Sequence, residues 1–287
     1  YSIHVVKMCE AFSKLGFKTN LLVIHNKNKE QIFKSYNVKN KFDINSILNE
    51  FIRLTFISRI VFSLKILFGN FNKNSFFLSR SITFALLASL IKKNIILELH
   101  HEITGFSKFL YYFFKKLGFI NNLNYIFLNK RLNKFYKIKP KKKIILDDAV
   151  NIEEFKQKKL ISYKKTCVYI GSFFEGKGIE QIFRLALLNK NIKFHLYGDK
   201  KYLKINQKLK NVRVFNFINY NKIPETLSKY EIALMPYQKK VKGRSSIWLE
   251  KYMSPLKMFD YLAARMIIVA SDLKIYKHVL KNDYNSI

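Results

Sequence analysis

Ser254-Pro-Leu-Lys-Met-Phe-Asp-Tyr-Leu-Ala263, followed by Met266-Ile-Ile-Val-Ala270 and Ser271-Asp272, decides how this chain folds. The Ser-Pro pair opens a helix, a turn follows it, and the short apolar run is a buried strand. A helix that starts beside a sheet in this way aims its first-turn N–H groups and its positive dipole end outward, where they suit an anion. Lys257, one turn in, adds a full charge. Asp260, further along, can accept hydrogen bonds from hydroxyls next to that anion, so phosphate and ribose of a nucleotide fit the string. An ordinary Pro-started helix packed on a sheet fits it equally well, and a second signal is needed.

That signal lies upstream. Thr166-Cys-Val-Tyr-Ile170 is a strand-like run, Gly171-Ser-Phe-Phe-Glu-Gly-Lys-Gly178 a glycine-punctuated loop, and Ile179 to Leu188 has helical apolar spacing. Gly171, Gly176 and Lys177 satisfy most of the nucleoside-triphosphate loop pattern, in which backbone amides close on phosphates and the lysine reaches them. The pattern fails at Gly178, where a magnesium-dependent triphosphatase needs a Ser or Thr hydroxyl for its metal. What remains is a phosphate cradle without a metal ligand.

Length and composition agree with an α/β protein. The 287 residues suffice for two domains, and strand-like and helix-like runs alternate, as parallel sheets require. Nine Gly and four Pro against 49% hydrophobic residues exclude disordered and collagen-like classes. Two cysteines, Cys9 and Cys167, are too few for a disulfide framework and read as small buried hydrophobes in a reducing compartment.

The ordered set of strings resembles family-4 glycosyltransferases of the two-Rossmann-domain (GT-B) type, in their Ser-Pro-x-Lys subgroup. Besides the two loops above, the set contains Tyr197-Gly198-Asp199 ending a strand, Ile223 to Tyr237, Leu97-Glu-Leu-His100, Asp148 to Phe155, and an opening helix from Ser2. The resemblance implies two Rossmann-like domains facing a cleft: residues 1–155 for the acceptor and 156–287 for the nucleotide sugar. Both termini are incomplete by this pattern, which implies an internal fragment.

The resemblance also implies a retaining, metal-independent transfer from a nucleotide sugar to a lipid-linked or cell-surface polysaccharide acceptor of a bacterium. The expected catalytic residues are Lys177, His100 and Asp260. Donor contacts are expected from Gly171, Ser172, Lys177, Gly178, Gly198, Arg244, Ser254, Pro255, Leu256, Lys257 and Asp260. Three positions depart from the family pattern. Ser172 replaces an arginine, Asp260 is one methylene shorter than the usual glutamate, and Asn216 stands for a glycine and offers the next best tolerance of left-handed backbone.

Charge is the other large fact. The chain carries 53 Lys and Arg against 19 Asp and Glu, a formal +34, and residues 51–146 hold 18 bases against two acids. Such a surface attracts polyanions. Phe106 to Phe119 and Phe51 to Phe71 interleave aromatics with bases, the composition of helices lying in a membrane interface, and charges interrupt both before the roughly 20 apolar residues that spanning needs. Part of the charge also reads as the Lys, Asn, Ile and Phe bias of an AT-rich genome on a solvated surface.

A cytoplasmic protein, peripheral on the inner face of the membrane, is therefore expected, with an anionic surface rather than nucleic acid as partner. No zinc-finger spacing, aromatic RNA signature, Asp-x-Asp or His-Glu-x-x-His is present, so neither metal nor cofactor is expected. The competing reading is a non-catalytic, polyanion-binding protein on the same fold. His100 and His101 end the apolar strand Ile95 to Leu99, where open α/β sheets place ligands, though a loop carbonyl could equally satisfy such a histidine.

Overall fold

The computed structural model describes residues 3–24, 28–48, 56–72, 74–91, 94–136, 143–156, 158–205, 208–241 and 252–287. Two compact units emerge, one of residues 1–34 and 38–147, the other of residues 35–37 and 148–287.

In unit 1 the chain runs through α1 (Ile3–Lys14), β1 (Asn20–Val23), α2 (Lys29–Ser35) and β2 (Asp43–Ser46), with β1 and β2 paired in parallel. It continues through α3 (Phe56–Leu67), β3 (Phe77–Ser79), α4 (Ile82–Leu90), β4 (Ile95–Leu99), α5 (Gly105–Lys116), β5 (Asn124–Phe127), α6 (Lys130–Tyr136) and β6 (Lys143–Ile145). Strands β3 to β6 form a parallel sheet in sequence order. Helices cover the faces of such a sheet, so β4 buries both faces: Ile95, Leu97 and Leu99 are core, and Glu98 is buried with them. Helix α4, Ile-Thr-Phe-Ala-Leu-Leu-Ala-Ser-Leu, is apolar nearly all round and is held between α3 and α5. Ser81 caps it by accepting the Phe84 N–H at 3.4 Å.

Unit 2 contains β7 (Thr166–Ile170), α7 (Ile179–Leu188), β8 (Lys193–Tyr197), β9 (Val212–Phe215), α8 (Ile223–Leu227), β10 (Ile232–Met235), α9 (Leu256–Ala263) and β11 (Ile267–Ala270). Its all-parallel sheet has the order β11-β10-β7-β8-β9. Successive side chains of β7 feed opposite cores: Val168 packs with Tyr230, Met258 and Tyr261, and Tyr169 with Ile182, Phe183 and Leu196. The order reverses between β7 and β10, the switch point at which open sheets bind ligands beyond their carboxyl ends. The β7–β10 ladder pairs only Cys167 and Val168, then opens, and the Tyr261 hydroxyl of α9 accepts the Ile170 N–H at 3.1 Å in place of a strand.

Three local expectations change. Pro255 is the N-cap of α9 in extended backbone and not its first helical residue. Ser254 therefore lies outside the cap, and its hydroxyl accepts the Asp148 N–H at 3.1 Å. The last strand begins at Ile267, one residue later than its apolar run. Asn216 is not left-handed; the non-glycine residues with positive φ are Asn37, Lys165, Arg265 and Asp283 among those described. Both cysteines are free, and burial pushes their thiols up to about 12 for Cys9 and about 11 for Cys167, away from reactivity.

Candidate active site

The loop after β7 and the chain after β10 close on each other at the switch point. The Gln238 N–H donates to the Gly176 carbonyl at 2.9 Å, and Gly178 has φ +80° with its backbone against the Pro236 carbonyl, so a side chain there would be both strained and blocked. Gly178 is also the N-cap of α7. Gly171 leaves open the space that the Lys257 ammonium uses; a Cβ there would lie 2.5 Å from Nζ.

Two lysines meet at this place. Lys177 Nζ stands 4.5 Å and Lys257 Nζ 5.2 Å from the ring centre of the buried Tyr237, and Lys257 Nζ is also 3.7 Å from that of Tyr169. The Tyr169 hydroxyl is tied to the Ser172 carbonyl at 2.8 Å, which fixes the ring. The Lys257 ammonium is buried with no hydrogen-bond partner among the described residues. Burial pulls Lys177 down to about 8. Burial, and then the Lys177 charge, hold Lys257 well below the usual lysine range, against the pull of Asp260. The ring faces partly compensate both cations. A buried ammonium without an acceptor is costly, and an anion between these lysines would complete the site.

Asp260 shares a face of α9 with Lys257, three residues on, and is buried. Burial and then the Glu154 charge raise its carboxyl to about 7, against the opposing Lys257 charge and a hydrogen bond from Tyr220. It is not a solvated helix residue. A ligand hydroxyl meeting it would find a group that ionises near neutrality.

Unit 1 holds a different cluster. Glu98 and His100 are two apart at the end of β4 and so leave the strand on one side, toward His4 of α1. His4 Nε2 and His100 Nε2 lie 2.6 and 2.9 Å from the same Glu98 oxygen, with the two rings edge to face at 5.0 Å. Burial alone would raise Glu98, but the hydrogen bonds and charge of His100 and His4 outweigh it and bring the carboxyl down to about 2. These three ligand atoms lie within 4.8 Å of one another, close enough to hold a metal ion. Their N–O separations are nevertheless shorter than the roughly 3.3 Å between ligand atoms around tetrahedral zinc: the His4 contact is a direct hydrogen bond, and the His100 contact an ion pair whose Nε2 makes no hydrogen bond among the described residues. Tyr136 of α6 steadies the following loop: its hydroxyl accepts the Ile103 N–H at 2.6 Å and donates to the His101 carbonyl at 3.3 Å.

Residues 151–287 match the family model described as glycosyl transferases group 1. A glycosyltransferase from Rickettsia africae ESF-5 superposes on 99% of this chain and 79% of its own with a TM-score of 0.70 at 11% identity. Sucrose-phosphate synthase from Thermosynechococcus elongatus gives 0.64 at 10% identity over the same shares of each chain. Anabaena HepE, solved with UDP-glucose, gives 0.64 at 9% identity over 97% of this chain and 79% of that one. No curated protein matches the sequence. The fold is GT-B, and residues 151–287 of the chain are a glycosyl transferases group 1 domain.

Among the residues expected at a donor site, the structure brings Gly171, Ser172, Lys177, Gly178, Lys257 and Asp260 to one end of the unit 2 sheet. Gly198 is with them, since a Cβ there would lie 2.5 Å from the Gly171 carbonyl oxygen and 2.6 Å from the Phe173 ring. Pro255 and Leu256 start α9, and the Leu256 and Lys257 N–H groups have no backbone acceptor among the described residues. Ser254 is engaged with Asp148 and so braces the loop from behind. Arg244 lies outside the described residues. His100 belongs to unit 1 and sits in the histidine cluster. Sequence reasoning missed Tyr169 and Tyr237, which wall the lysines, and His4 and Glu98, which hold His100. The i, i+2 spacing of Glu98 and His100 was the one available signal.

Proposed function

We propose that the chain is a glycosyltransferase that takes its sugar from a nucleotide sugar held by unit 2. The observation that carries the proposal is the buried Lys257 ammonium, without a hydrogen-bond acceptor among the described residues, beside Lys177 at the switch point. Transfer breaks the bond between the anomeric carbon and the diphosphate, and negative charge grows on the leaving phosphate. Lys177, Lys257 and the first-turn N–H groups of α9 are preorganised for that charge and do what a divalent cation does elsewhere, so the reaction needs no metal or other cofactor. Asp260 accepts from the ribose. A retaining course, with the departing phosphate helping to take the acceptor proton, rests on the family resemblance.

The acceptor is a lipid-linked or cell-surface polysaccharide of a bacterium, held by unit 1 near His100, with the enzyme at the cytoplasmic face of the membrane. Support comes from the histidine cluster at the carboxyl end of β4 and from the basic, aromatic-rich character of unit 1. No helix of the described residues is long and apolar enough to cross a membrane, which fits attachment at its surface.

A thermal-shift series against UDP-, GDP- and ADP-sugars, each with EDTA and with magnesium, tests the donor. The UDP-glucose in HepE makes a UDP-sugar the first to try. One series should raise the melting temperature equally with and without chelator; a ligand at about 100 times its Kd stabilises by about 2.7 kcal/mol. No shift with any of them would overturn the donor site, and a shift abolished by EDTA would overturn metal independence.

A further inference from the structure

Helices α3 and α5 of unit 1 bury Ile66, Leu67 and Tyr111 in the core, yet each carries a second apolar face that looks outward. A surface helix normally turns its apolar stripe to the core and its polar face to water. In α3, Ile57, Val61, Leu64 and the following Phe68 recur at the spacing of one helix face, and that face is outward: Ile57 is 71% and Phe68 80% exposed. Ser58 and Ser63 point inward and are buried, with the Ser63 hydroxyl returned to the Arg59 carbonyl at 2.7 Å. In α5, Phe106, Phe109 and Phe113 share an outward face, Phe109 being 65% exposed, with Phe106 and Phe109 stacked at 6.0 Å. Both helices flank the same buried α4.

The charge on these two helices is of one sign. Neither contains an acidic residue, and Arg59, Lys65, Lys108 and Lys116 are all exposed among the apolar side chains. The complementary partner is therefore apolar beneath an anionic layer, which describes a phospholipid bilayer with acidic headgroups. Twelve residues of helix measure about 18 Å, well short of the roughly 30 Å hydrocarbon core, so the helices lie in the interface and do not span it.

We propose that the outward faces of α3 and α5 dock unit 1 onto an anionic membrane, with the phenylalanines in the boundary of the acyl chains and the four bases on lipid phosphates. This deepens the proposed function, since a lipid-linked acceptor must be met at a membrane, and it rests on that reading only for its purpose. Docking itself can be measured without turnover.

The test uses the full chain in sedimentation with vesicles of phosphatidylglycerol and phosphatidylcholine in equal parts, beside vesicles of phosphatidylcholine alone. Binding should favour the mixed vesicles and fall as salt rises, since the screening length is about 10 Å at 0.1 M. Phe109→Ala with Phe113→Ala should weaken binding to mixed vesicles by roughly tenfold or more at low salt, and Lys108→Glu with Lys116→Glu should do the same. All four positions are exposed, so the circular-dichroism melt should not change. Unchanged vesicle binding in the phenylalanine variant overturns the proposal. So does a self-associating wild type that becomes monomeric in that variant without losing vesicles, which would make the face a contact between copies. Loss of single-stranded RNA binding alone in the charge variant would give the basic face to nucleic acid. Nucleotide affinity, measured by calorimetry in the same variants, should hold; if the wild type fails there too, the donor reading fails separately.

Discussion

Both units bury charge, and they resolve it in opposite ways. In unit 1 the buried Glu98 has its partners in place, with His4 and His100 at hydrogen-bond distance of one oxygen. In unit 2 two ammonium groups converge on the ring of Tyr237, and the Lys257 nitrogen has no acceptor among the described residues. In the first arrangement the carboxylate has its counter-groups beside it, although His100 Nε2 meets it as an ion pair and makes no hydrogen bond among the described residues. The second leaves a desolvated cation that an anion would satisfy.

The sharpest way to break this contrast is at Lys177. If the lysine pair waits for the leaving phosphate, Lys177→Ala should lower kcat/KM by about 2 to 4 kcal/mol in transition-state free energy, roughly 30- to 1,000-fold. The melting temperature should not drop, because a desolvated cation is removed. Near-normal turnover would remove Lys177 from the chemistry.

Glu98 tests the other side. Its carboxyl is held at about 2, below the ordinary 4.5, so its stabilising contribution is present in full above about 4.5 and is lost as pH falls toward 2. The shift corresponds to about 3 kcal/mol at neutral pH. Urea midpoints from pH 7 to 2.5 should fall across that window in the wild type, and Glu98→Gln should start lower and flatten the fall. A variant with wild-type acid sensitivity would show that the histidines do not hold the carboxylate.

Much of this was legible before the structure. The strand Thr166–Ile170, the loop to Gly178 and the helix Ile179–Leu188 fall where periodicity and glycine spacing put them, because a fully buried parallel strand, a left-handed turn and an amphipathic helix each carry a local signature. The aromatic walls did not show. Tyr169 and Tyr237 sit in or just after core strands, and nothing local separates a tyrosine that packs from one that lies under a lysine. His4 and Glu98 are 94 residues apart, so only tertiary structure could join them. Ser-Pro was read as a cap, yet Ser254 bonds Asp148, a choice made by a segment more than a hundred residues upstream. The outward phenylalanines were visible as composition, and which side they faced was not.

Asp260 sharpens the picture of a site tuned for a ligand. If its ionised carboxylate accepts from the ribose through a charge-assisted bond, Asp260→Asn should weaken binding of the matching nucleoside diphosphate by about 1.5 to 3 kcal/mol. Because burial and Glu154 raise the carboxyl to about 7, affinity in the wild type should climb as pH rises through 7 and decline once Lys177 loses its proton near 8. The stability linkage has the opposite sign: a raised acid is best accommodated protonated, so its contribution is lost as pH rises from 3.8 toward 7. Calorimetry between pH 6 and 9 checks the affinity, and urea midpoints between pH 4 and 7 check the stability; in binding, the asparagine variant should keep the alkaline limb while losing the acidic one. Unchanged affinity in that variant would leave Asp260 a purely structural acid.

The smallest effect is the most diagnostic, because it predicts a gain. Lys257 is held well below the usual lysine range by burial and by Lys177, so the unfolded chain binds its proton more readily than the folded one. Stability of the ligand-free protein should then rise with pH toward the ordinary lysine range. Lys257→Met keeps the length and apolar body of the side chain and removes the desolvated charge. The loss of its contact with the Tyr169 ring offsets part of the benefit, leaving a gain of about 1 to 2 kcal/mol near neutral pH. The same variant should bind the nucleoside diphosphate more weakly and show a flatter dependence of its urea midpoint between pH 7 and 9. A methionine variant that is less stable than the wild type, with nucleotide affinity intact, would mean that Lys257 already has its counter-charge in the free protein and that the two units resolve their buried charge alike.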